Sequence, residues 1–232
     1  MIFGIKTVNA KEVVYTNDKG MELDIYEYNF FKTLYGEAFL KYLDENTYNQ
    51  YLDIDFENPD IETKTYLEPN FNLEKNNSRG SYYSTPAKSI TIGKVCGALC
   101  RIVTTATWLE EPTIKSYDVI GSYLAGPTRI STPYTVAYSS LESNLAETNK
   151  YGTNGFGSVV KIPQGTDVVI SQAFHYTGTG TVYSTYQHAM STTTLTIAQK
   201  FNISGIGFGG VLDFYDEAYY VYDNMNGVDI NV

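Results

Sequence analysis

Apolar and polar residues alternate along the C-terminal part of the chain, from 157 to 232, and glycine-rich turns separate the alternating runs. In the clearest run the apolar positions are Val168, Ile170, Phe174 and Tyr176, and the polar ones are Asp167, Ser171, His175 and Thr177. A period of two is typical of antiparallel strands that bury one face. This part of the chain is therefore predicted to form β-sheet.

A glycine-rich tripeptide at residues 178–180 follows that run and predicts a hairpin turn. If the hairpin is centred there, His175 lies opposite Tyr183, and His188 lies opposite Ile170 on the other face of the sheet. In this register the two histidines cannot share a metal or a proton. We expect His175 to be solvated and His188 to be a buried, hydrogen-bonded histidine, and neither is a persuasive general base.

The same alternation covers the region upstream, where even-numbered positions are apolar up to Trp108, which is expected in the core. Further strands are predicted at 114–124 and 130–138, whereas the polar stretch 139–154 is predicted to hold a short helix or a long loop. Strands separated by turns favour an antiparallel β-sandwich, jelly-roll-like, over residues 89–232.

The apolar spacing becomes helical in the N-terminal segment, residues 11–56. Asp24 and Glu27 match a capping box, Gly36 is placed to end a helix, and Asp44 is a second candidate N-cap. We therefore predict two short helices in this segment. Helices this short are marginal alone, so they must pack on another surface.

Residues 57–88 are polar, show little periodicity and contain several turn signals. The signals are Asn58-Pro59-Asp60, Glu68-Pro69-Asn70, Asn76-Asn77-Ser78-Arg79-Gly80 and Thr85-Pro86. This stretch is predicted to be a polar linker between the helical segment and the sandwich.

The first ten residues look like the end of a secretory signal peptide. A short apolar run precedes Val8-Asn9-Ala10, which fits the small-x-Ala rule for signal peptidase, and charged residues follow. The alternative is an ordinary first strand. We interpret residues 1–10 as a signal-peptide remnant and predict a secreted, extracellular protein that begins at Lys11.

The net charge of −10 changes the range of partners that we expect. Nucleic acids and anionic membranes are disfavoured, because binding them needs clustered Lys and Arg, and these residues are scattered. No apolar run approaches the roughly 20 residues of a transmembrane helix. The expected partner is a glycan or a cell-surface protein.

The two cysteines, Cys96 and Cys100, are too far apart to bond if they lie on one uninterrupted strand. A disulfide therefore requires the chain to turn through residues 97–99. Secretion and the glycine at position 97 favour that bridge, and the alternative is two buried free thiols. A redox-active pair and a zinc site fit poorly, because the spacing is not Cys-x-x-Cys and the chain has only two histidines.

No catalytic, metal or cofactor site is predicted from the motifs. The glycine-rich run 205–210 leads into a strand-like segment rather than a helix, so it lacks the geometry that holds a phosphate. The segment 223–227 superficially resembles a calcium loop, but the alternating oxygen pattern fails at Met225.

Several pieces of the chain together resemble uncharacterised secreted proteins of Gram-positive bacteria. The pieces are Glu27-Tyr28-Asn29-Phe30, Ala106-Thr107-Trp108-Leu109 with Pro112, Ser116-Tyr117-Asp118-Val119-Ile120-Gly121, and Gly180-Thr181-Val182-Tyr183-Ser184-Thr185-Tyr186-Gln187-His188. The resemblance implies export and a Cys96–Cys100 pairing. It brings no known activity and therefore no functional residues.

Three functions are consistent with these observations. The leading hypothesis is a secreted, non-enzymatic protein that binds a cell-wall glycan or a host surface through loops rich in Tyr and Asn, with the ligand-binding residues unknown. The second is a pore-forming or toxin-like protein, in which Ser191 to Ala198 would line a barrel. The third is a hydrolase with carboxylates assembled across loops. The tyrosines considered for binding are Tyr82, Tyr83, Tyr117, Tyr123, Tyr134, Tyr138, Tyr183, Tyr219 and Tyr220.

Overall fold

The computed structural model describes residues 12–69, 71–74, 82–151, 154–189, 222–224 and 227–232. Within these residues, two antiparallel sheets pack face to face, and short helices cover the outer side of one sheet. The predicted fold, a mainly β sandwich with an N-terminal helical segment, is confirmed. The predicted signal-peptide remnant lies outside the described residues, as do the segments 191–198 and 205–210.

The described residues contain three helices, where the sequence pattern predicted two. They are α1 (Ile25–Tyr35), α2 (Glu37–Leu40) and α3 (Glu45–Asn49). The capping box is present, since the Asp24 carboxylate accepts the Glu27 N–H at 3.0 Å and the Glu27 carboxylate accepts the Asp24 N–H at 2.9 Å. Gly36 ends α1 with a φ of 86°, and Asp44 caps α3 through the Thr47 N–H at 2.8 Å.

Seventeen strands lie within the described ranges. In chain order they are β1 (Tyr15–Thr16), β2 (Glu22–Leu23), β3 (Asp60–Glu68), β4 (Phe71–Glu74), β5 (Tyr82–Thr85), β6 (Lys88–Cys96), β7 (Cys100–Trp108), β8 (Tyr117–Ala125), β9 (Thr128–Arg129), β10 (Tyr134–Tyr138), β11 (Ser143–Leu145), β12 (Thr148–Tyr151), β13 (Gly155–Lys161), β14 (Val169–Thr177), β15 (Thr181–Ala189), β16 (Tyr222–Asn224) and β17 (Val228–Asn231).

The two large sheets divide most of these strands between them. The first sheet has the order β11-β10-β14-β7-β6-β3, with β9 also paired to β14. The second has the order β12-β13-β8-β15-β16, with β17 also paired to β15. Strand pairs β1-β2 and β4-β5 form two small separate sheets. All of these pairings are antiparallel.

Both faces of the first sheet contribute residues to a hydrophobic core. The face toward the second sheet forms a core with Trp108, Phe156 and Tyr186 among its members. The opposite face packs against the helices, where Phe31 and Tyr51 lie in the second core. The prediction that short helices need a surface to pack on is thereby met, because the sheet supplies that surface.

Part of the interior between the sheets is polar. The Thr104 hydroxyl donates to the Ser184 hydroxyl at 2.8 Å, and the Ser122 and Ser184 hydroxyls lie 2.8 Å apart. The Gln172 amide donates to the Ser158 hydroxyl at 2.7 Å. Hydrogen bonds of this kind remove most of the cost of burying polar groups.

A disulfide joins Cys96 and Cys100 at the end of the β6–β7 hairpin, with their Cα atoms 4.0 Å apart. The chain turns through residues 97–99, as the bridge requires. The turn docks on the helical segment, because the Asp53 carboxylate accepts the Ala98 N–H at 3.1 Å and the buried Arg101 guanidinium at 2.9 Å. The two-free-thiols alternative is therefore wrong.

The predicted hairpin at 178–180 is wrong, although the turn itself is present. Strand β14 pairs with β7, β9 and β10, whereas β15 pairs with β8, β16 and β17, so the turn carries the chain from one sheet to the other. Ile170 and Tyr186 belong to the same core, on strands of opposite sheets. Alternation correctly identifies such buried residues, but it does not tell which strands pair.

Two further stretches differ from expectation. The predicted linker 57–88 contains β3, an edge strand of the first sheet, and the small sheet formed by β4 and β5. Its periodicity is weak because one face of β3 is exposed and carries charged residues such as Lys64, which pairs with Asp229 at 2.7 Å. The stretch 139–154 forms strands β11 and β12 where it is described, rather than a helix. None of the described helices is long and apolar enough to cross a membrane.

Candidate functional site

A small cavity of about 150 Å³ opens at one end of the sandwich. It is bordered by the end of β8, strand β9, the end of β12 and the start of β13, so both large sheets contribute to it. The lining residues are Leu124, Pro127, Thr128, Arg129, Tyr151, Asn154, Gly155 and Phe156. We call this cavity the Arg129 pocket.

Two glycine-containing turns pack closely against each other beside the Arg129 pocket. Gly126 has a φ of +110°, and a Cβ there would lie 2.6 Å from the Thr179 carbonyl oxygen. Gly180 has a φ of +146°, and a Cβ there would lie 2.1 Å from the Ala125 carbonyl oxygen. Only glycine fits both the conformation and the close approach of these turns. They place Pro127 and strand β9 at the mouth of the pocket.

Aromatic stacking fixes the Arg129 side chain. The guanidinium carbon lies 4.7 Å from the centre of the Tyr151 ring and 5.3 Å from the centre of the Phe156 ring. The guanidinium also donates to the Ser131 carbonyl oxygen. Cation–π contacts of this kind hold the guanidinium beside the two rings.

The remaining wall of the pocket combines an aromatic ring with polar groups. Tyr151 is 51% exposed, whereas Phe156 is buried at 2%. The exposed Asn154 is anchored through its backbone, whose carbonyl accepts the Leu124 N–H at 2.7 Å. The pocket therefore offers a cation, an exposed ring and amide and hydroxyl groups to a small polar ligand.

A second cavity of about 450 Å³ lies between the β7–β8 connection and Gln164. Its lining is Glu111, Pro112, Thr113, Lys115 and Gln164. Lys115 is satisfied locally, because its ammonium donates to Glu111 and, at 2.5 Å, to the Gly165 carbonyl oxygen. This lining has no aromatic residue, and neither of these two cavities is lined by two carboxylates as the hydrolase hypothesis requires.

A buried polar network surrounds His188. The imidazole Nδ1 lies 2.8 Å from Oδ2 of Asp118, and the Ala189 N–H donates to Oδ1 of Asp118 at 3.1 Å. The Tyr186 hydroxyl donates to Asp118 and accepts the indole N–H of Trp108 at 3.0 Å. Pairing satisfies the Asp118 carboxylate in a position that would otherwise be costly.

This network has the carboxylate–histidine pairing of hydrolase triads, but it is closed to solvent. Asp118 is 0% exposed and His188 is 1% exposed. Their strands, β8 and β15, are neighbours in the second sheet, and Trp108 belongs to the first sheet. The arrangement ties the two sheets together, and the prediction of a buried, hydrogen-bonded His188 is confirmed.

The other histidine, His175, lies in the first sheet opposite Arg101 on the neighbouring strand. It is half-buried rather than fully solvated. Burial, followed by the nearby Arg101 charge, lowers the pKa of His175 below its ordinary value. The two histidines lie on separate sheets. They are therefore apart, as expected, but not because they occupy opposite faces of one hairpin.

The sequence singled out neither Arg129 nor Tyr151. Of the tyrosines it did consider, Tyr138 is buried at 2% against the helices, and the Tyr123 and Tyr183 rings contact each other at a tilted angle, with their centroids 6.3 Å apart. Residues 219 and 220 lie outside the described residues. A usable signal was present in the sequence that starts at Tyr151, where an aromatic residue precedes a stretch rich in glycine and asparagine.

No group of three or more His, Cys, Asp or Glu side chains suited to a metal ion occurs in the part of the chain that the structure describes. Comparison of the chain with protein families, with curated proteins and with solved structures finds no match.

Proposed function

We propose that this chain is an extracellular, non-enzymatic binding protein that recognises a saccharide at the Arg129 pocket. The observation that carries the proposal is the exposed Tyr151 ring beside a guanidinium already held by stacking. An aromatic face stacks on the C–H face of a sugar ring, and Arg, Asn and Thr groups bond its hydroxyls.

The size of the pocket supports recognition of a single ring. Pockets for drug-sized molecules measure about 300–1,000 Å³, whereas this one measures about 150 Å³. A pocket of this volume accommodates one six-membered ring, such as the terminal sugar of a longer glycan. No carboxylate or histidine is among its lining residues, which favours binding over hydrolysis at this site.

The disulfide supports the extracellular part of the proposal, because such bonds form and persist in oxidising compartments. The test is the intact mass of protein recovered from the culture medium of the native producer. We expect a mass that starts at Lys11 and contains one disulfide. A mass that retains residues 1–10, found only inside cells, contradicts export.

Saccharide binding is tested by screening the purified protein against a glycan array and measuring hits by calorimetry. Tyr151→Ala is expected to weaken binding about tenfold or more, because a stacking platform contributes about 1.5 kcal/mol. Tyr26→Ala is the matched control, since Tyr26 is 46% exposed on α1 and lies outside the pocket lining. Equal losses in both variants, or no glycan bound, would contradict the proposal.

A further inference from the structure

We infer that the ligand of the Arg129 pocket is an acidic saccharide, a sugar whose carboxylate pairs with Arg129 while its ring stacks on Tyr151. This inference rests on the proposed function and names the ligand class of the same site. It is drawn from the way in which Arg129 is held and from the partner that it does not have among the described residues.

Comparison of the two arginines whose surroundings are described shows the difference. Arg101 stacks on Tyr51 at 4.4 Å and also pairs with the Asp53 carboxylate at 2.9 Å. Arg129 stacks on Tyr151 in the same manner, yet within the described residues no carboxylate lies within ion-pairing distance of it. The stacking is present at both arginines, but the anion is present at only one.

The acidity of the chain makes this difference informative. The sequence has 26 acidic residues against 16 basic ones. Many of the described basic side chains accordingly have an acidic partner. These pairs are Lys32–Glu37, Lys41–Asp167, Lys64–Asp229, Lys94–Glu62, Lys115–Glu111 and Arg101–Asp53. Arg129 instead lies half-buried in a pocket wall, where an external anion reaches it.

The N–H donors of Arg129 suit a carboxylate. A guanidinium carries five N–H donors, and the structure assigns one acceptor to that of Arg129, the Ser131 carbonyl oxygen. The contacts with the Tyr151 and Phe156 rings restrict the movement of the guanidinium, so its remaining N–H donors are held at the pocket, where a carboxylate can accept two of them. Pre-organisation reduces the entropy lost on binding.

The test uses calorimetry with four probes: the methyl glycosides of glucuronic acid and of glucose, the methyl ester of the glucuronide, and glucose sulfate. The glucuronide is expected to bind about tenfold or more tightly than the glucoside and the ester, and its affinity is expected to fall as salt is added. The ester keeps the shape of the acid and removes its charge, so it isolates the contribution of the carboxylate.

Variants assign the effect to Arg129. Arg129→Gln is expected to bind the glucuronide no more tightly than it binds the glucoside, and Arg129→Lys is expected to retain part of the preference for the acid. Lys161→Gln is the control, because it removes one exposed positive charge outside the pocket lining. Fluorescence of Trp108, the single tryptophan, checks that each variant is folded.

The outcomes separate the inference from the proposed function. Equal affinity for glucuronide and glucoside, abolished by Tyr151→Ala, overturns the acidic ligand and leaves saccharide binding intact. A preference confined to glucose sulfate also overturns the carboxylate. An acid preference that survives Arg129→Gln overturns the role of Arg129. Binding to no saccharide on the array overturns the proposed function and the acidic ligand together.

Discussion

The Asp118 carboxylate lies 2.8 Å from Nδ1 of His188, and both side chains are buried in the interior of the sandwich. The network extends through Tyr186 to Trp108 in the opposite sheet. It therefore links strands that are far apart in sequence, and its loss should affect the stability of the whole sandwich.

Asp118→Asn is expected to lower the free energy of unfolding by about 3 kcal/mol, because the amide nitrogen replaces one of the two acceptor oxygens and then faces either the Tyr186 O–H or the Ala189 N–H donor. Urea denaturation followed by Trp108 fluorescence measures the change. Asp229→Asn is the matched control, and it should cost no more than about 0.5 kcal/mol because its ion pair with Lys64 is exposed. Similar losses in the two variants would show that the buried network is not a special contributor.

Replacement of both Cys96 and Cys100 by serine is expected to leave the fold intact and to lower stability by up to about 2 kcal/mol. The bond closes a loop of only a few residues, and a loop this short restricts the unfolded chain modestly. The β6–β7 ladder from Lys88 opposite Trp108 onward remains to hold the hairpin. Thermal unfolding with and without reductant measures the effect. Alkylation of two thiols in the native, unreduced protein would contradict the bridge.

Gly97→Ala is expected to cost about 1–3 kcal/mol, because the new methyl group would lie 2.7 Å from the Asp53 carbonyl oxygen and 2.8 Å from a methyl of Ile54. The turn would have to move away from Asp53, which also binds Arg101. Leu99→Ala is the control in the same turn, since Leu99 is 51% exposed. Chemical denaturation of both variants measures the difference, and a neutral Gly97→Ala would show that the turn shifts freely.

The protein is expected to lose stability as the pH rises above 10. Burial raises the pKa of Tyr51 and of Tyr176 to about 12, from an ordinary value of 10.0. Because the folded-state pKa is the higher one, the unfolded chain releases protons first, and stability present below pH 10 is lost up to about pH 12. Urea denaturation at a series of pH values measures this loss.

Tyr51→Phe is the variant that assigns part of the alkaline effect. Its stability should fall less steeply with pH than that of the parent, because one late-titrating phenol has been removed. The variant also loses the 2.5 Å hydrogen bond between the Tyr35 and Tyr51 hydroxyls, so the slopes rather than the absolute stabilities are compared. Identical slopes would show that Tyr51 titrates alike in both states.

The local elements were predictable from the residues that begin and end them. Asp24, Glu27, Gly36 and Asp44 mark the helix ends in the sequence, and the structure uses each of them in that way. Caps and turns depend on contacts within a few residues, so local sequence is sufficient to specify them. The turn at 178–180 was found for the same reason.

Strand pairing and the edge strand β3 could not be predicted from the sequence pattern. Strand β3 escaped prediction because charged side chains on its exposed face mask the alternation, although Tyr66 still packs against the core. Thr104 and Gln172 also face inward, but as polar residues they do not stand out as buried positions in the sequence. Their burial is possible because they donate hydrogen bonds to Ser184 and Ser158 on other strands. Partners that lie far away in sequence decide both outcomes.

The sequence alone determined the β class of this protein, the helix caps and the buried position of Trp108, because each depends on periodicity or on neighbouring residues. Only the tertiary structure decided that residues 178–180 cross between sheets, that Asp118 meets His188, and that Arg129 stacks beside Tyr151 at one pocket. These meetings depend on which strands become neighbours, and alternation assigns a side chain to a face without naming the strand beside it.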